Sequence, residues 1–70
     1  MVEYKAVTSS NIQGIGYDPT TKELFVEFKG RSRYKYSGVQ QEDYEDFMSA
    51  PSKGSYFADN IKDAYPCQRV

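Results

Sequence analysis

Leu24, Val26 and Phe28 alternate with Phe25, Glu27 and Lys29, and Ser32, Tyr34 and Tyr36 alternate with Arg31, Arg33 and Lys35. A period of two marks a strand with one buried face, so two strands are predicted on either side of Gly30. If their apolar sets share a face, paired positions must sum to an even number. Val26 opposite Tyr34 and Glu27 opposite Arg33 is one such register, and the rule favours a three-residue loop or a bulge over a two-residue Lys29-Gly30 turn that closes Phe28 on Arg31. A first strand over 11–17 is less regular, because Ile12 and Ile15 fall on opposite faces unless a bulge near Gly14 or Gly16 resets the alternation. Asp18-Pro19-Thr20-Thr21 reads as a type I turn that closes the first hairpin, with Asp18 accepting backbone N–H groups and Pro19 preset for the second position.

The second half of the chain changes period. Val39 and Tyr44 have the spacing of a hydrophobic staple around a helix that starts near Gln40, and Tyr44, Phe47 and Met48 continue one stripe. Glu42 and Asp43 suit the positive end of that helix. Pro51 stops it, and Ser52 is placed to cap a second helix carrying Phe57, Ile61, Ala64 and Tyr65. Pro66 then ends the fold. The expected class is α+β: a three-stranded antiparallel β-meander followed by two helices packed on one face, in the order β-β-β-α-α. It forms a single domain over 1–70 with its core over 9–66.

Seventy residues bury only a thin core, so the seven Tyr and four Phe must carry much of its contact area. Nine basic and ten acidic residues nearly cancel, and any nucleic-acid binding must come from a local patch. The single cysteine, Cys67, excludes an intramolecular disulfide, and with no His in the chain it leaves no zinc-ligand set. No apolar stretch reaches the length of a membrane span, and Met1-Val2-Glu3-Tyr4 lacks the pattern of a signal peptide. A cytoplasmic protein that does not enter the membrane is expected.

Ser9-Ser10-Asn11-Ile12, Tyr17-Asp18-Pro19, Tyr34-Lys35-Tyr36 and Pro51-Ser52-Lys53-Gly54 together make nearly the whole chain resemble the KTSC domain. This small module is found alone and at the C-terminus of some lysyl-tRNA synthetases. The resemblance implies the fold; the family has no established activity, and RNA binding is the function suggested for it.

Ser52, Lys53, Gly54 and Ser55 combine free N–H groups at a helix start, two hydroxyls, an ammonium and a glycine that lets a phosphate approach the backbone. Their structural reading is a capped helix after a proline, and the spacing lacks the GxxxxGK[ST] of a P-loop. Tyr34 and Tyr36, the family's Tyr-x-Tyr motif, read either as a stacking platform for unpaired bases or as core tyrosines. Pleating puts them on the core face, whereas Arg31, Arg33 and Lys35 project from the other together with Lys29 as a basic patch. That patch is either a phosphate-binding face or a solvated strand face, with Glu27 paired to Arg33.

The acidic run Glu42-Asp43-Tyr44-Glu45-Asp46 makes the molecule bipolar. No His, a lone terminal Cys and carboxylates confined to runs and turns argue for a non-enzyme without cofactor or metal. Asp18 reads as a turn residue and Asp59 as the solvent side of a helix. The two function classes that remain are a module binding RNA or a nucleotide phosphate, and a protein-interaction or inhibitory module with no nucleic-acid ligand. Exposed Tyr4 and edge strands leave the oligomeric state open.

Overall fold

Five antiparallel strands in sequence order form the sheet of a computed structural model, which describes residues 3–70. They are β1 Lys5–Ala6, β2 Ile12–Asp18, β3 Glu23–Phe28, β4 Arg33–Ser37 and β5 Cys67–Arg69. Met1 and Val2, part of the N-terminal segment considered above, lie outside the described residues. The expected three-stranded meander is β2 to β4, and each flank gains one short strand. Pro66 therefore does not end the fold. Its carbonyl accepts the Ser37 N–H at 3.0 Å, and the chain continues into β5 beside β4.

Strand register follows the parity argument. Val26 pairs with Tyr34 and Glu27 with Arg33, around a three-residue loop, Lys29-Gly30-Arg31. Phe28 donates to Ser32 O at 2.8 Å, and Arg31 donates to Phe28 O at 3.0 Å. Gly30 and Arg31 both take positive φ, 95° and 70°. In β2 the pairing passes from Ile12↔Phe28 directly to Gly14↔Glu27, so Gln13 is the extra residue of a bulge. The bulge turns both Ile12 and Ile15 inward, and each is fully buried. At the first hairpin, Asp18 Oδ1 accepts the Thr20 N–H at 3.0 Å. The loop closes through Lys22 N–H to Asp18 O at 2.8 Å.

Helix α1, Gln41–Ser49, buries Phe47 and carries Glu42 and Asp43 in its first turn. Ala50 is extended, as the residue before a proline should be, and the helix ends there. Helix α2, Lys53–Tyr56, is capped by Ser52, whose Oγ accepts the Ser55 N–H at 3.3 Å. It runs into a π-helical turn, Phe57–Ile61, closed by Lys62 N–H to Phe57 O at 2.9 Å.

The expected helical stripe stops at Ile61. Ala64 is exposed, and Tyr65 leaves the helix to donate its hydroxyl to Asp43 Oδ2 at 2.5 Å, which ties the end of the second helical segment to α1. Phe57 is the aromatic junction of the core. Its ring lies edge-on to Phe28 and Tyr36, with centroids 5.3 and 5.5 Å away, and 6.4 Å from Phe47.

Two core-face tyrosines give the fold a pH limit. The Tyr65 hydroxyl is pushed up to about 12, first by its hydrogen bond to Asp43 and then by burial. That of Tyr36 is pushed up to about 12, mainly by burial. Because the folded values exceed the ordinary tyrosine value of about 10, stability from this source is fully present below that pH and is lost as pH rises toward 12. In an alkaline titration far-ultraviolet dichroism should therefore be lost in a cooperative step above pH 10, with part of the tyrosinate absorbance rising in that same step. Dichroism that stays native while all tyrosines ionise would contradict this.

Candidate functional site

The Ser9-Ser10-Asn11 turn and the start of α2 face each other across an open cleft of about 480 Å³. The turn is shaped by Ser9, whose Oγ accepts N–H groups from Asn11 and Ile12 at 3.4 and 3.3 Å and donates to Asn11 Oδ1 at 3.2 Å. Lys29 N–H binds Asn11 O at 2.9 Å and ties the turn to the end of β3. Gly54 makes the close approach possible: a Cβ there would lie 3.0 Å from Asn11 Oδ1. The glycine is thus needed first for packing against the turn.

Lys53 also has a structural role, because its Nζ donates to Ala50 O at 2.7 Å, just past the end of α1. An ammonium carries three hydrogens, so this bond leaves two for an anion. Hydroxyls and an amide make up most of the cleft's polar lining, and none of its lining residues is acidic.

A second cleft of about 540 Å³ adjoins the first and shares Asn11, Gly54 and Ala58 with it. Phe28, Tyr34, Tyr36 and Phe57 line it, with Lys62 and Cys67. Tyr34 and Tyr36 are on the core face as pleating requires. Tyr36 is buried, while Tyr34 and Phe28 are only partly covered. The two motifs that were separate in the sequence, Ser52-Lys53-Gly54-Ser55 and Tyr34-Lys35-Tyr36, therefore line neighbouring parts of one surface.

The outer sheet face differs from a free basic patch. Arg33 Nε lies 2.9 Å from Glu27 Oε2, as expected, and Lys35 Nζ lies 3.1 Å from Glu23 Oε2. Tyr4 is partly covered rather than exposed: its ring meets Phe25 edge-on at 6.3 Å, and Arg33 Cζ sits 4.9 Å from its centroid. Arg33 and Lys35 are thus already engaged, and Arg31, in the β3–β4 loop, lines neither cleft.

The sequence profile of the KTSC domain matches residues 8–65. The chain belongs to the KTSC domain family. A crystal structure of a KTSC domain protein from Yersinia pestis is similar over all of this chain and 99% of that one, with a TM-score of 0.96 and 37% identity. A lysine–tRNA ligase from Nostoc is 38% identical over 61 residues, which are 87% of this chain and 11% of that enzyme. An uncharacterized protein from Stutzerimonas stutzeri is 36% identical over 52 residues, covering 74% of this chain and 73% of its own length. The KTSC domain is thus found alone and as a small part of a tRNA ligase.

Sequence reasoning about this KTSC domain singled out Ser52 to Ser55, Arg31, Arg33, Lys35 and the two tyrosines as candidate site residues, with Ser9 and Asn11 entering only as part of the family motif and Phe28, Phe57, Ala58 and Lys62 not as site residues. Phe28 shares the parity of Tyr34 and Tyr36 across the hairpin, which is a usable signal. The meeting of Asn11 with Gly54 is a long-range contact that no local pattern encodes. Among the described residues, no helix is long and apolar enough to cross a membrane.

Proposed function

We propose that this KTSC domain is a non-catalytic module that binds single-stranded RNA, with a backbone phosphate in the cleft between Ser9 to Asn11 and Ser52 to Ser55. The observation that carries the reading is the convergence of these two polar segments on a cleft whose lining holds a lysine and no carboxylate. Hydroxyls, backbone N–H groups and one ammonium are the donors that hold phosphate and ribose oxygens. The relative named as a lysine–tRNA ligase, in which the matching segment is 11% of the enzyme, adds an RNA-handling context. The acidic helix α1 limits where a polyanion can lie and favours a short contact over an extended one.

The size of the salt effect tests which surface is used. Contact with one or two phosphates at the cleft gives a slope of log affinity against log salt of about −0.7 to −1.4 for a single strand, whereas engagement of all four strand-face cations gives about −2.8. Fluorescence anisotropy of a labelled single-stranded RNA over a salt series should return the shallow slope. The steep slope would move the site to Lys29, Arg31, Arg33 and Lys35. Absence of binding at low salt would remove the RNA reading and favour a protein partner.

A further inference from the structure

The aromatic cleft is not needed to hold a phosphate, yet it opens beside the polar one and shares Asn11, Gly54 and Ala58 with it. Its lining has the chemistry of a site for a flat, weakly polar ring. Partly exposed Phe28 and Tyr34 supply accessible aromatic surface over buried Tyr36 and Phe57, and exposed Lys62 and Asp63 supply one donor and one acceptor. At the junction the Asn11 side chain packs over Gly54, where a Cβ would lie 3.0 Å from its Oδ1, so a ligand passes from one cleft to the other over exposed Ala58, whose side chain is a single methyl.

A nucleotide has matching parts: a base that stacks on aromatic rings, with hydrogen-bonding groups at its edge, joined through a sugar to a phosphate. Each cleft falls within the usual range of roughly 300–1,000 Å³ for small-ligand pockets. A paired base inside a duplex cannot present its faces to side chains, so the arrangement selects an unpaired one.

We infer that the cleft beside Phe28 and Tyr34 takes the base of one unpaired nucleotide whose sugar phosphate passes Ala58 into the Ser9 to Asn11 cleft. The inference rests on the RNA-binding reading and adds what that reading leaves open, namely which part of the RNA is recognised. The nucleotide comes either from a single strand or from the free mononucleotide pool, and the two sources are separable.

Cys67 is a built-in reporter, because it is the chain's one cysteine, is exposed, and lines the aromatic cleft. Its reaction with a chromogenic disulfide reagent should slow as adenosine 5′-monophosphate or a short single-stranded RNA is added. It should stay unchanged with ribose 5-phosphate, which lacks a base, or with the same RNA annealed into a duplex. Tyr34→Leu should weaken single-strand binding by roughly 5- to 150-fold, the range for loss of one stacked base, and Tyr34→Phe should retain it. The protection assay on the parent protein stands even if Tyr34→Leu fails to fold.

Protection by the mononucleotide without binding of the single strand would support the base site and overturn the RNA reading. Binding of RNA with Cys67 reacting at its original rate would leave the RNA reading intact and overturn the base site. Equal protection by duplex and single strand would also overturn it, and so would failure of both mononucleotide and RNA to protect.

Discussion

Phe47→Ala should leave the domain largely unfolded at room temperature. Phe47 is fully buried and is the only residue of α1 in that class. Its ring stacks on Tyr56, with centroids 5.5 Å apart and planes 15° apart, and stands 6.4 Å from Phe57. Truncating a buried Phe costs about 3–5 kcal/mol, because the lost transfer free energy is joined by that of the cavity left behind. A single core in a domain of this size supplies about the same amount in total. The melting temperature should therefore fall by at least roughly 12 °C, at 4–8 °C per kcal/mol. Phe47→Leu, which keeps most of the volume, should cost clearly less. Urea denaturation followed by dichroism reads both. A Phe47→Ala domain within about 1 kcal/mol of the parent would mean that α1 is not docked through this ring.

Ala58→Glu should weaken RNA binding at least about tenfold without harming the fold. Ala58 is exposed on the π-helical turn and lines both clefts, so a longer side chain there occupies the passage between them. The added carboxylate would also sit beside the proposed phosphate position and repel it. Together these effects should weaken single-strand binding by about tenfold or more, equivalent to at least about 1.4 kcal/mol. An exposed helical substitution of this kind usually changes stability by less than about 0.5 kcal/mol, so the melting temperature should hardly move. Ala58→Ser, small and neutral, should bind like the parent. Unchanged affinity in Ala58→Glu would place the RNA on some other surface.

What the sequence made legible was local and periodic. Parity limits the hairpin to registers of the kind that sets Val26 against Tyr34, the mismatch between Ile12 and Ile15 calls for a bulge near the glycines, found at Gln13, and Ser52 after Pro51 marks the second helix start. What it hid depends on partners distant in sequence. Lys5–Ala6 and Cys67–Arg69 are short and exposed, with no alternation to read, and they are strands because β2 and β4 offer unpaired backbone edges.

The helix carrying Phe57 and Ile61 was read through to Tyr65, but the chain turns after Ile61 and the Tyr65 hydroxyl is drawn to Asp43. The ion pair of Glu23 with Lys35 on the outer sheet face is not visible in strand alternation, because Glu23 lies diagonally across the sheet from Lys35. The polar half of the candidate site was legible at Ser52 to Ser55. Its opposite wall, Ser9 to Asn11, entered only through the family resemblance, because a loop-to-helix approach leaves no periodic trace.

Amide-shift mapping of the isotope-labelled domain during titration with a short single-stranded RNA at low salt tests the central claim most directly. The account predicts shifts concentrated at Ser9 to Asn11, Ser52 to Ala58 and Tyr34 to Tyr36 that diminish as salt is raised. An unchanged spectrum at near-millimolar RNA, or shifts confined to α1 and the outer sheet face, would contradict it.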